Sequence, residues 1–246
     1  MSLATVNLME TVKKQYGFKL KANIDAFSSL VGIQLLAILF SLNGSGSSGT
    51  FSETLSLDVT YYSADIVVIF TMIWALVTAI MITTKPYRSY DFTFVTNRLS
   101  SNLSNMLFLL TASLLGTITA VLSRYLIQVI GYFIMHNQVY LTPTTFGDIF
   151  LGIAAGFLYI FCISAIGYLI GTLVQVNKLF VLLVPGLIIG SIFLDASMQR
   201  EPSLMGIFQF YLMESSILLF AIKMLLTTAF VFGLSFIILN RMEVRR

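Results

Sequence analysis

The sequence predicts an all-α fold: a polytopic membrane protein with six transmembrane helices, an N-terminal interfacial helix and a further cytosolic helix after the second span. Three observations lead there. Of the 246 residues, 57% are hydrophobic and only 10% charged, against roughly 25% charged in soluble domains. The mean hydropathy is +0.92. The apolar residues gather into runs of about twenty, the length that crosses a ~30 Å hydrocarbon layer as helix, and one soluble core would have to bury several such runs at once. Residues 1–246 read as one transmembrane domain.

Residues 1–25 mix Leu8, Met9, Val12, Tyr16, Phe18 and Leu20 with Lys13, Lys14, Lys19 and Lys21. Apolar positions at near-helical spacing beside four lysines predict an amphipathic helix in the cytoplasmic headgroup layer. The first span is Ala26 to Leu42, and NGSGSSG, Asn43 to Gly49, reads as a flexible loop continuing to Ser63 with Glu53 and Asp58 but no Lys or Arg. Ala64 to Thr83 is the second span.

The segment 84–104 follows, polar between two apolar runs, with Lys85, Arg88 and Arg98 against Asp91 alone. Tyr87, Tyr90, Phe94 and Arg98 recur at three- and four-residue spacing, so a helix starting near Ser89 or Asp91 carries an aromatic side and a polar side. The third span runs from Asn105 or Met106 to Leu122. Arg124 stands at its exit, and YLIQVIGYFIM beyond reads either as continuation or as a helix lying at the outer interface.

His136 to Thr145 is an outer loop, and Phe146 to Val174 is the fourth span. Gly152 and Gly156, then Gly167 and Gly171, are two small-xxx-small spacings that let another helix come close. Gln175 to Lys178 is a tight inner turn. Leu179 to Leu194 is the fifth span, in which Pro185-Gly186 predicts a kink or break. Residues 195–216, neither long nor apolar enough to span, read as short helices re-entering the outer leaflet. The sixth span, Ile217 to Leu239, ends in NRMEVRR.

Charge orients this topology. The inner segments hold Lys13, Lys14, Lys19, Lys21, Lys85, Arg88, Arg98, Lys178, Arg241, Arg245 and Arg246, whereas the outer side holds Arg124, Arg200 and Lys223. By the positive-inside rule both termini face the cytoplasm of a multi-pass cell-membrane protein. The net charge of +3 follows from the same loop bias and implies no nucleic acid.

Several chemistries find no motif. No GxxxxGK[ST] is present to cradle nucleotide phosphates, and no HExxH. His136 is the only histidine and Cys162 the only cysteine, which excludes an intrachain disulfide and predicts no metal site. The ionisable residues nearest the spans, Asp65, Asp148 and Lys223, fall near their outer ends and suit interfacial placement or a structural pair of Lys223 with a carboxylate. They do not form a mid-membrane relay.

With these features in place, the chain resembles the membrane (permease) subunits of type-2 ABC exporters over nearly its whole length. The likeness lies in the N-terminal interfacial helix, YRSYDFTFVTNRLSSNLSN after span two, SNMLFLLTASLLG opening span three, the QVNK turn, the re-entrant stretch and the basic end. FVTNR followed by SN looks like the Gram-positive permeases of bacitracin, antimicrobial-peptide and phenol-soluble-modulin exporters.

The resemblance implies a chain that is not itself an enzyme. A cytosolic ABC ATPase, carrying the ATP and Mg, drives it, and a second permease copy, identical or a paralogue, pairs with it in the lipid bilayer. The cargo implied is amphipathic or hydrophobic: a peptide toxin, antimicrobial peptide or drug. The larger ATPase contact would be a cytosolic coupling helix from Tyr87 to Leu103, anchored by Tyr90 and Phe94 with polar contacts from Arg88, Asp91 and Arg98. The smaller would be the turn with Gln175, Asn177 and Lys178. A second reading is a non-transporting membrane sensor or immunity protein that binds a peptide or a partner permease.

Overall fold

The computed structural model describes residues 8–44, 46–52, 55–61, 63–84, 98–134, 145–198, 200, 202–214 and 216–241. In chain order the elements are α1 (Leu8–Ala22), α2 (Ile24–Ser41), β1 (Gly46–Ser52), β2 (Leu55–Tyr61), α3 (Asp65–Ile82), α4 (Arg98–Ile134), α5 (Phe146–Val176), α6 (Phe180–Ser197), α7 (Ser203–Leu212) and α8 (Ile217–Arg241). Six of them, α2, α3, α4, α5, α6 and α8, are long and apolar enough to cross a membrane. The protein is an all-α polytopic membrane protein, with one small hairpin between its first two spans.

That hairpin replaces the flexible loop expected from Asn43 onward. β1 and β2 pair antiparallel, from Gly46 with Tyr61 to Ser52 with Leu55. Leu55, Leu57, Val59 and Tyr61 alternate with Ser56, Asp58 and Thr60, the period-two pattern of a strand, and this outweighs the glycine and serine content of the first strand. Gly44, at φ 93°, supplies the left-handed turn out of α2 that other residues rarely adopt. Ser41 Oγ donates to Ser63 O at 2.6 Å, closing the base of the hairpin.

The third span resolves in favour of continuation. α4 is one helix of 37 residues, about 55 Å long at 1.5 Å per residue, so it exceeds the hydrocarbon layer and takes in both Arg98–Ser104 and the stretch after Arg124. α6 likewise passes through Pro185 as a single helix, so of the kink or break expected there the break does not occur. α7 has ten residues, roughly 15 Å, too short to span. Asp195 caps it, its carboxylate accepting from Ser203 N at 2.7 Å and Ser203 Oγ at 3.0 Å.

The core lies where α3, α4 and α5 meet, around Trp74, Ala79, Phe108, Leu109, Ile160, Ala165 and Tyr168, with Leu30 of α2 and Phe232 of α8 against it. α3 and α5 run parallel and close because α5 presents glycine to α3. A Cβ on Gly167 would stand 2.5 Å from Leu76 O, and one on Gly171 would collide with Thr83 Oγ1. Of the other glycine pair, Gly156 faces Thr117 of α4 and Gly152 faces open space. One polar side chain ties the centre together: Gln34 of α2 is buried, and its Nε2 donates to Thr71 Oγ1 of α3 and to Gly116 O of α4, both at 3.1 Å.

Candidate functional site

At one end of the bundle α1, the start of α4 and the last turns of α3 and α5 converge. The hairpin lies at the opposite end. α1 lies against the bundle itself. It packs on α4, and the stripe it buries is Val12, Gln15 and Lys19, while Leu8 and Met9 are exposed. Lys19, expected among the headgroups, is only 5% exposed.

A directed chain of hydrogen bonds explains how Lys19 is accommodated. Its Nζ donates to Asn105 Oδ1 and, at 3.3 Å, to Ser101 O, both on α4. Asn105 Nδ2 donates to the Tyr168 hydroxyl of α5 at 3.3 Å, and that hydroxyl donates to Asn102 Oδ1 at 3.1 Å. Asn23, just after α1, donates to Lys19 O at 2.8 Å. A buried ammonium is tolerated only when oxygens meet it, and α4 supplies them with an Asn and a backbone carbonyl at i and i+4.

Satisfaction is incomplete. Both amide atoms of Gln15, and Asn102 Nδ2, are buried and find no hydrogen-bond partner among the described residues. Each such group forfeits about 1–3 kcal/mol.

The other half of the site is the end of α3. Gln175 Nε2 donates to Thr83 O, the carbonyl of the residue that caps the end of α3, where carbonyls lack partners within the helix itself. Gly171 lets Thr83 approach, and Thr83 Oγ1 turns back to Ile80 O at 2.6 Å. α5 thus grips both flanks of the segment between α3 and α4, through Gly171 and Gln175 at Thr83 and through Tyr168 at Asn102 and Asn105.

Of the residues singled out in the sequence, Tyr87, Arg88, Tyr90, Asp91 and Phe94 lie outside the described residues, as does His136. Arg98 is the first residue of α4, and residues 98–104 are opening turns of that span, not part of a separate helix. Gln175 is engaged within the chain by Thr83. Asn177 ends α5, and its Oδ1 accepts from Leu179 N at 3.0 Å to start α6. Lys178 between them is exposed.

The three ionisable residues near span ends do not pair with one another. Asp65 accepts from Ser63 Oγ at 2.6 Å, and Asp148 from Thr145 N at 3.0 Å, each at the start of its helix. Lys223 of α8 pairs with Glu214 and sits 4.0 Å from the Phe210 ring centroid. Its partner is the carboxylate nearest in sequence, one the span-end reading passed over. Among the described residues no three metal-ligating side chains come together.

No family model, curated protein or solved structure matches this chain.

Proposed function

We propose that the chain is the transmembrane subunit of an ATP-driven exporter, in which a separate cytosolic ATPase acts on the segment between α3 and α4 and on the turn between α5 and α6. The observation that carries this reading is the double grip of α5. The helix that ends at the exposed Asn177-Lys178 turn also holds Thr83 on one flank of the segment and Asn102 and Asn105 on the other. A force applied to the segment or to the turn is passed to the same helix, and a stiff shared element is what an external motor needs to move a membrane part.

On this reading the end carrying α1, Lys178 and Arg241 faces the cytoplasm, as the positive-inside rule requires, and the hairpin and α7 face out. Tyr90 and Phe94, on the proposed coupling helix that opens at Tyr87, anchor the ATPase, with Arg88, Asp91 and Arg98 as polar contacts. Two permease copies enclose the path of an amphipathic or hydrophobic cargo. The nucleotide and its magnesium belong to the ATPase.

The test is co-expression with a candidate cytosolic ABC ATPase, sought first among the genes adjacent to this one, and purification in lipid. Wild type is expected to retain the ATPase and stimulate its hydrolysis. The double variant Tyr90→Ala, Phe94→Ala should lose retention or stimulation at least about tenfold, the effect of ~1.4 kcal/mol or more expected when buried aromatic anchors are truncated. Equal retention and equal hydrolysis by the two proteins would refute the coupling assignment.

A further inference from the structure

A second feature lies away from the α5 grip. Between α2 and α3 runs a cleft of about 420 Å³, within the ~300–1,000 Å³ range of small-molecule sites. Its walls are Ile33 of α2 and Ile73 and Val77 of α3, and its floor is Phe108 of α4, which is fully buried. The cleft is two-sided in chemistry. Along its length it is aliphatic, and at the α1 end it carries Asp25 and Ser29.

Two details make this end a built feature. Trp74 Nε1 reaches across from α3 to Ala26 O at 3.2 Å and Ser29 Oγ at 3.0 Å, so the walls are tied at a fixed separation and the indole is already satisfied. Among the described residues, Asp25, in the first turn of α2, is the only charged one that lines the cleft. Its side chain is exposed, and among the described residues no cation or hydrogen-bond donor meets its carboxylate. An apolar slot with a free carboxylate at its mouth complements a molecule with the opposite layout, a positive head on an alkyl chain. Asp25 stands at the first turn of a membrane-crossing helix, where such amphiphiles place their heads.

We infer that the cleft between α2 and α3 binds a single-chain amphiphile with a primary ammonium head group, entering from the bilayer, its chain along Ile33, Ile73 and Val77 and its head on Asp25. Binding of this kind needs no ATPase, so it stands or falls apart from the transport reading.

Trp74 is the only tryptophan of the chain, and its fluorescence reports on the cleft directly. The experiment uses the full chain in phosphatidylcholine nanodiscs without ATPase, titrated with dodecylammonium, dodecanol or dodecyl sulfate. Dodecylammonium is expected to change Trp74 emission saturably, with an apparent Kd about three- to tenfold below that of dodecanol, somewhat beyond the range of exposed ion pairs in water because the head sits at a membrane boundary. Asp25→Asn should abolish that preference and leave dodecanol unchanged, Asp25→Glu should keep it, and Val77→Phe, which fills the wall, should weaken both ligands. The inference is overturned if Asp25→Asn keeps the preference, if dodecyl sulfate binds as well as dodecylammonium, or if Val77→Phe changes neither Kd.

Discussion

The Tyr168 hydroxyl shows what one atom does in this bundle. It is 1% exposed and is at once the acceptor for Asn105 and the donor to Asn102, so Tyr168→Phe leaves both groups buried and unmet. With each orphan worth about 1–3 kcal/mol, the variant is expected to lower the apparent unfolding temperature in lipid by several degrees. Tyr132→Phe, at an exposed ring, should leave it unchanged; equal melting of the two variants would show that the chain of hydrogen bonds contributes nothing. Lys19 was illegible from sequence for a related reason. Its partner Asn105 lies 86 residues away, and helical periodicity within residues 1–25 sorts lysine with water by default. Gln34 escaped notice in the same way, since a lone amide in an apolar run shows its value only when Thr71 and Gly116 arrive beside it. A smaller effect is written in α1 itself. Lys14 beside Glu10 holds the Glu10 carboxyl below its ordinary value by hydrogen bond first and charge second. A depressed carboxyl stabilises the fold above its unfolded pKa and loses that contribution as pH falls through the folded one. The protection of the α1 amides, taken as exchange rates relative to their intrinsic values at each pH, should therefore fall slightly as pH drops below the ordinary carboxylate range, and Glu10→Gln should remove that step.

At the scale of elements, the spans were legible because their apolar runs are long, and the starts of α2, α3, α5, α6 and α8 fall within two residues of the expected ones. What periodicity could not supply was where a helix stops when polar residues are paid for by neighbours, as at the head of α4, where Ser100, Asn102, Ser104 and Asn105 are buried against α1 and α5. The close approach of α3 and α5 gives a direct test. Gly167→Ala puts a Cβ 2.5 Å from Leu76 O, backbone that cannot rotate away, whereas Gly152→Ala meets nothing within 4 Å. The first should destabilise by about 1–3 kcal/mol, as overpacking does, and the second by nothing measurable; thermal melts of the two proteins decide it. The short helix α7 is fastened differently. Lys223 holds Glu214 and lies over Phe210, and Tyr159 OH donates to Tyr211 O at 3.3 Å. Lys223→Met is expected to raise hydrogen exchange across Ser203–Leu212 severalfold while α8 stays protected, and unaltered exchange there would show that the ion pair fastens nothing.

The whole molecule has two unlike ends, and sidedness is the property on which any account of its work depends. Lys13, Lys14, Lys21, Lys178 and Arg241 are exposed at the end that carries α1, whereas the hairpin carries Asp58 and the sequence from 43 to 63 holds no Lys or Arg. Positive charge stays on the side from which a chain is inserted, so the α1 end is expected inside. The chain is well suited to a direct measurement, because Cys162 is its only cysteine and is buried, with Sγ 3.9 Å from Thr227 Oγ1. Cys162→Ser keeps a small polar group there and frees the chain for single labels. Adding Ser56→Cys places a thiol on the hairpin, and adding Lys178→Cys places one in the turn between α5 and α6. A membrane-impermeant maleimide applied to intact cells should label the first and reach the second only after lysis. The opposite pattern would put the double grip of α5 on the outer face, where no cytosolic ATPase could reach it, and the exporter reading would fall even though every helix in the bundle stayed where it is.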